Sequence, residues 1–165
     1  MVLIVFGLPA TGKTFVANII AKYGFFFYEG DSDMHEDLLE TIANKLPVTD
    51  EQRDIFFAKL ISTITALSKK HTNLVVAQTF IKEKYRKQLL AQIPDAQFIL
   101  ITTDTNVREK RLKKRTTFKL DPKYAKRMCE LFEQPSIHYF TINNTKDGEK
   151  EVGEQVEKLL DDLSL

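Results

Sequence analysis

The chain contains no tryptophan and a single cysteine, Cys129, among its 165 residues. An internal disulfide is therefore impossible, and a small secreted scaffold held together by cross-links is excluded. Histidine is scarce too: there are three, and no His/Cys cluster has the spacing of a zinc or iron site. No apolar run approaches the roughly 18 to 20 residues that span a bilayer. The apolar start Val2-Leu3-Ile4-Val5-Phe6 follows Met1 without a basic flank and ends at Gly7, which fits a buried strand and not a signal peptide. These absences predict an unprocessed cytoplasmic protein with no membrane segment.

What is present is enough apolar chain for one sizeable core. Hydrophobic residues make up 43% and charged residues 28%, which argues against disorder and against a two-domain enzyme. The 24 Lys+Arg nearly balance the 23 Asp+Glu, but their distribution is uneven. Residues 82-127 carry 14 basic and 5 acidic side chains, against 3 and 9 in residues 128-165. Aromatic residues are sparse within that basic block, and strand and turn patterns interrupt it. The pattern therefore favours a site for a small anion over a nucleic-acid surface.

Short β-rich apolar runs alternate with helix-period stretches from end to end, the pattern of an α/β fold with a mainly parallel sheet. Strands are predicted at 2-6, 25-28, 74-77, 97-102 and 138-142. Helices are predicted at 14-23, 34-45, 50-70, 82-92, 106-115, 122-133 and 148-163. The run Phe25-Phe26-Phe27 reads as core, while His71 and His138 read as a helix-end residue and a packing residue without chemistry. No repeat or long linker divides the chain, so residues 1-165 are expected to form a single domain.

The strongest chemical signal is Gly7-Leu8-Pro9-Ala10-Thr11-Gly12-Lys13-Thr14, a full G-x-x-x-x-G-K-[ST] loop between the first strand and the first helix. The glycines let the backbone curl so that successive N-H groups point at phosphate oxygens, and the helix N-terminus adds positive potential. Gly7, Pro9, Ala10, Thr11, Gly12, Lys13 and Thr14 are thus the expected nucleotide-binding residues. Lys13 reaches the β and γ phosphates, and the Thr14 hydroxyl is placed to hold Mg²⁺. A chance match would also have to produce the preceding strand and the following helix.

The loop by itself does not separate kinases, switch GTPases and motors. No Asn-Lys-x-Asp guanine-reading sequence is present, and the third strand ends in Gln78 without an acidic residue. The acidic group must come from elsewhere, and Glu29-Gly30-Asp31-Ser32-Asp33 closes the second strand. Residues at the carboxyl ends of parallel strands share one crevice, so this turn can face the loop. Asp31 there can accept the proton of an attacking hydroxyl, and Glu29 is a weaker candidate for supporting the metal. Asp33 is equally readable as an ordinary polar-turn residue.

These segments resemble the P-loop gluconokinases, within the wider group of shikimate-kinase-like small-molecule kinases. The resemblance runs through Gly7 to Thr14, the turn Tyr28-Glu29-Gly30-Asp31, Leu46-Pro47-Val48-Thr49-Asp50-Glu51-Gln52-Arg53, Lys82 with Lys84-Tyr85-Arg86, Arg111-Leu112-Lys113-Lys114-Arg115, and Leu131-Phe132-Glu133-Gln134-Pro135. Gln78-Thr79 stands where the family carries Cys-Ser. The resemblance implies a three-layer P-loop NTPase fold with a five-stranded sheet and a helical lid at about 108-127. It implies ATP-dependent phosphorylation of a sugar acid, with ATP and Mg²⁺ as cofactors and a tendency to dimerise. Asp31 is then placed near the accepting hydroxyl, and Arg53, Lys82 and Arg86 around the substrate carboxylate. Arg111 and Arg115, one helical turn apart, would close over the phosphates. Asn144, after the last strand, is a candidate for the nucleotide base.

Other acceptors remain open at this stage: shikimate, a nucleoside, a nucleotide or a nucleic-acid 5'-hydroxyl. So does a nucleotide-binding regulator with slow hydrolysis and no small-molecule acceptor, which the basic middle of the chain favours.

Overall fold

A computed structural model describes residues 1–114, 121–146 and 148–163. Five strands form one sheet: β1 (Val2–Phe6), β2 (Phe26–Glu29), β3 (Leu74–Ala77), β4 (Gln97–Thr102) and β5 (Phe140–Asn143). Their spatial order is β2-β3-β1-β4-β5, and every pairing is parallel. The helices are α1 (Lys13–Ala21), α2 (Glu36–Ala43), α3 (Asp50–Ser68), α4 (Glu83–Gln92), α5 (Thr105–Lys114), α6 (Pro122–Leu131) and α7 (Glu149–Asp162). A 3₁₀ turn, Gly30–Asp33, follows β2.

Strand periodicity divides the core into two halves. Side chains alternate between the faces of a strand, so Ile4 and Phe6 of β1 join Val76 and Phe98 against Phe57, Leu60 and Ile64 of α3 and Leu89 of α4. Leu3 and Val5 join Ile99 and Ile142 against Val16 and Ile20 of α1 and Val156 and Leu160 of α7. Both faces are covered, which is why β1 is apolar at every position. This is the expected three-layer α/β arrangement. Among the described residues, no helix is long and apolar enough to cross a membrane.

Two local features differ from expectation. Phe26 is 41% exposed, because β2 is an edge strand; His71 stacks on its ring at 3.9 Å between centroids. Only Phe25 of that aromatic run is buried. The last strand begins at Phe140, which pairs with Ile99, and not at His138, which is exposed and meets the Phe140 ring edge-on.

The start of α3 is fixed by its own sequence. Thr49 Oγ1 accepts the Gln52 backbone N-H at 3.1 Å, and Gln52 Oε1 accepts the Thr49 N-H at 3.0 Å. This capping box satisfies two donors that a helix otherwise leaves open. Gln52 Nε2 also donates to Thr41 Oγ1 at 2.8 Å, which ties α2 to α3. Val48 and Arg53 of this segment share a chamber with Gln78 and Thr79, just beyond the carboxyl end of β3.

Candidate active site

The loop Gly7 to Thr14 leaves the carboxyl end of β1, the central strand, and enters α1. That position lies at the point where successive connections go to opposite sides of the sheet, the usual crevice of open α/β folds. Its backbone departs from extended or helical geometry at Ala10 (φ 62°) and Gly12 (φ 89°). A Cβ at Gly12 would stand 2.1 Å from Asn144 Nδ2, so no larger residue fits. Lys13 Nζ donates to the Leu8 carbonyl at 3.0 Å, folding the ammonium back over the loop.

The acidic turn does face the loop. Thr14 Oγ1 donates to Glu29 Oε2 at 2.7 Å, joining the start of α1 to the end of β2. Asp31 is exposed, and its Oδ1 accepts Gln78 Nε2 at 2.9 Å. Gln78 is 6% exposed, and its Oε1 accepts the Thr79 backbone N-H at 2.6 Å. A backbone N-H can only donate, so it fixes which end of the Gln78 amide is oxygen and leaves the nitrogen to Asp31. Gly30 permits this approach: a Cβ there would lie 2.9 Å from Gln78 Cβ and 3.1 Å from the Ala77 carbonyl.

Asp33 has a different role. It is buried, accepts Tyr28 Oη at 2.9 Å and Thr63 Oγ1 at 3.2 Å, and pairs with Lys59 at 3.6 Å. Burial, then the bond to Asp33, pushes the Tyr28 phenol up to about 12. Asp33 therefore fastens the turn to α3, while Asp31 points into the open.

A cavity of about 300 Å³ brings Lys13, Thr14, Glu29, Asp31, Gln78 and Arg111 together. It continues past Gln78, Thr79 and Tyr124 into a narrower chamber walled by Met34, Leu38, Ile42, Val48, Phe56 and Met128, with Arg53 as its cation. Arg53 is 8% exposed and donates to Asp50 Oδ1 at 3.1 Å. Burial raises the Tyr124 phenol, so it stays a neutral hydrogen-bonding group at the chamber wall. Gln78, Thr79, Tyr124 and Met128 were not predicted as site residues. The position of Gln78 at the end of β3, beside the loop-bearing strand, was the available signal for that residue.

The remaining substrate cations are placed elsewhere. Lys82 precedes α4 as its N-cap, and its Nζ donates to Asp50 Oδ1 at 2.9 Å. That bond, together with the charges of Lys82 and Arg53, holds the Asp50 carboxyl below the usual carboxylate range. Lys82 thus reaches the site only through Asp50, which in turn holds Arg53. Arg86 must be corrected outright. Its side chain is completely buried, with Nε on the Phe80 carbonyl at 2.9 Å, Nη2 on the Glu133 carbonyl at 2.8 Å and Nη1 on Glu83 Oε2 at 2.7 Å. Its guanidinium lies 5.1 Å from the Phe6 ring centroid and 5.0 Å from that of Phe132. It clamps the start of α4 to the chain beyond α6, and Phe80, whose carbonyl it holds, has the unusual φ of 43°. With its donors committed to these partners, it has no access to a substrate carboxylate.

Arg111 of α5 lines the cavity on the loop side. Arg115, with the rest of 115-120 of the predicted lid, lies outside the described residues. Asn144, expected near the nucleotide base, is 3% exposed and donates to the Thr11 carbonyl at 2.8 Å. It stands behind the loop and does not line the cavity. Among the described residues, no group of three or more His, Cys, Asp or Glu could hold a metal ion by itself.

Comparison with known proteins supplies an independent view. The family described as an AAA domain matches residues 3–133. A gluconokinase of Gluconobacter oxydans (strain 621H) is 31% identical over 114 residues, a stretch that is 68% of this chain and 64% of that protein. The match thus spans less than two thirds of that relative. Among solved structures, a sugar kinase from Janibacter sp. HTCC2649 superposes with a TM-score of 0.83 at 21% identity, covering 97% of this chain and 94% of that one. A gluconokinase from Sinorhizobium meliloti 1021 gives 0.79 at 20% identity, covering 99% and 94%. At such identities these two structures speak for the fold.

Proposed function

Since the chain belongs to the AAA domain family of P-loop proteins, we propose that it is an ATP-dependent small-molecule kinase whose acceptor is a sugar acid, with D-gluconate the leading candidate. The observation that carries this reading is the meeting of the loop with Asp31 in one cavity. An acidic residue at the end of β2, with Gln78 in place of one at the end of β3, suits transfer to a bound hydroxyl better than a motor or a switch. The likeness to the Gluconobacter gluconokinase supports the acceptor class.

The chemistry follows from what each residue can do. The loop N-H groups and Lys13 bind the phosphate chain and hold its terminal group in line with the acceptor. Asp31 takes the proton of the acceptor hydroxyl as its oxygen bonds to the γ-phosphorus and the bond to the departing ADP breaks. Gln78 holds one Asp31 oxygen and leaves the other for the acceptor. Arg111, and Arg115 four residues further along the sequence, neutralise charge on the transferring group. Arg53 receives the acceptor carboxylate, as a planar fork already oriented by Asp50.

Thr14 and Glu29 present hard oxygen donors side by side, which fits Mg²⁺, and a magnesium ion would there supply charge neutralisation between the phosphates. Cytoplasmic location and homodimerisation belong to the same reading.

One observation favours a neighbouring reading. The chamber around Arg53 is walled mainly by apolar side chains, and burying a polyhydroxylated chain against them costs unpaired hydroxyls. That favours an acceptor with fewer hydroxyls, shikimate among them. The deciding experiment is ADP release from Mg-ATP with D-gluconate, other sugar acids, shikimate, nucleosides and no acceptor. Strong dependence on gluconate establishes the first reading, and dependence on another acceptor moves the assignment to that compound. Hydrolysis that ignores every acceptor refutes the kinase proposal.

A further inference from the structure

Two side chains that follow separate strands converge on the carbonyl of Thr11. Asn144 Nδ2 donates to it at 2.8 Å, and the Thr103 hydroxyl has its one hydrogen to offer among the Thr102, Thr11 and Asn144 carbonyls at 2.8, 3.1 and 3.3 Å. Thr103 follows β4 directly and Asn144 follows β5 directly. The two are also joined to each other: the Asn144 backbone N-H donates to the Thr102 carbonyl at 2.8 Å, and Thr103 Oγ1 lies 3.3 Å from the Asn144 carbonyl. The carboxyl ends of β4 and β5 thus grip a single peptide unit of the phosphate loop. Asn144 is 3% exposed and Thr11 2%, so this grip is shielded from water.

A planar trans peptide points its C=O and the following N-H in opposite directions, and the chain has no cis peptide bonds among its described residues. Drawing the Thr11 carbonyl towards β4 and β5 therefore aims the Gly12 N-H the other way, towards the mouth of the loop. Gly12 at φ 89° accepts that orientation, and the 2.1 Å separation between its missing Cβ and Asn144 Nδ2 shows how closely the amide approaches. One hydrogen of the Asn144 amide is thus spent behind the loop, and the residue does not line the cavity.

We propose that Asn144, seconded by Thr103, is a positioning residue for anion binding: it sets the direction of the Gly12 N-H and so governs affinity for the polyphosphate chain, whatever the base. The proposal rests on the nucleotide-binding reading of the loop and adds a determinant outside the loop sequence.

The test uses the full chain, titrated calorimetrically with Mg-ATP, Mg-GTP and inorganic tripolyphosphate. Asn144→Ala should weaken ATP and tripolyphosphate by the same factor, about tenfold for a buried carbonyl deprived of the nearer of its two side-chain partners, with the ATP/GTP ratio unchanged. Thr103→Val keeps the side-chain shape and should weaken both by a smaller common factor. Loss of ATP binding with tripolyphosphate binding intact, or a changed ATP/GTP ratio, would overturn the proposal in favour of base recognition. Unchanged affinities in well-folded variants would overturn it as well. Circular dichroism checks the fold, and if Asn144→Ala does not fold, Thr103→Val carries the same comparison. A wild-type chain that binds none of the three refutes the loop reading itself and the proposal with it, an outcome distinct from variants that bind as the wild type does.

Discussion

Replacing Arg86 by methionine keeps an unbranched side chain between Phe6 and Phe132 but removes every donor of the guanidinium. The Phe80 and Glu133 carbonyls then lose partners at 2.9 and 2.8 Å, and Glu83 loses one at 2.7 Å. A buried acceptor left without its donor costs about 1 to 3 kcal/mol, and breaking a buried ion pair from one side about 3 to 5 kcal/mol. These terms overlap, because Glu83 keeps Ser136 Oγ at 2.6 Å. We expect a total of about 3 to 5 kcal/mol. For a domain of this size each kcal/mol moves Tm by about 2 to 4 °C, so Arg86→Met should melt roughly 6 to 20 °C below the wild type. Arg86→Lys should rescue little, since one ammonium cannot reach partners spread around a planar fork. Scanning calorimetry measures the shift, and acceptor kinetics on the folded fraction provide the control. A Tm within about 2 °C of the wild type, with KM for the acceptor raised, would refute the clamp and return Arg86 to the substrate site.

Three further outcomes follow from the site. Asp31→Asn should lower kcat by roughly 10²- to 10⁴-fold with ATP affinity kept, as for loss of a general base, and steady-state kinetics beside calorimetric titration would show it. Gln78→Leu should lower kcat by roughly 10- to 100-fold, as loss of a bond to a charged group implies, yet add little in the Asp31→Asn background; additive losses would separate the two residues. Burial alone would raise the Glu83 carboxyl, but donors from Ser136 and Arg86 outweigh it and hold the group below its ordinary 4.5. Because the native value is the lower one, the stability that Glu83 contributes is complete above about pH 4.5 and fades as pH falls through the native value. The Tm gap between wild type and Glu83→Gln should therefore be widest near neutrality and shrink on acidification.

Local patterns made much of this molecule legible in advance. Val2 to Phe6 is apolar at every position because both faces of a central parallel strand are covered, and that pattern needs no partner to be recognised. The loop from Gly7 to Thr14 is recognised from residues adjacent in the chain, and so is the capping box from Thr49 to Gln52. Asp31 was readable because strand carboxyl ends share one crevice. The aromatic run at Phe25 is buried only in part, since an edge strand and a central strand look alike until the strand order is known.

Sequence by itself determined the alternation of elements, the phosphate loop and the acidic turn, all of which depend on spacings of a few residues. Only the tertiary structure decided which polar groups are spent inside the protein. Arg86 and Asn144 look like ligand-binding residues along the chain, yet each is tied to a remote carbonyl, Arg86 to Glu133 47 positions away and Asn144 to Thr11 133 positions away. Asp31 and Asp33 differ for the same reason: Thr63 and Lys59 reach Asp33 from α3, while Asp31 is left facing the cavity. Whether a charge serves a substrate or the fold depends on what packing brings within hydrogen-bonding distance, and those neighbours are set by contacts remote in sequence.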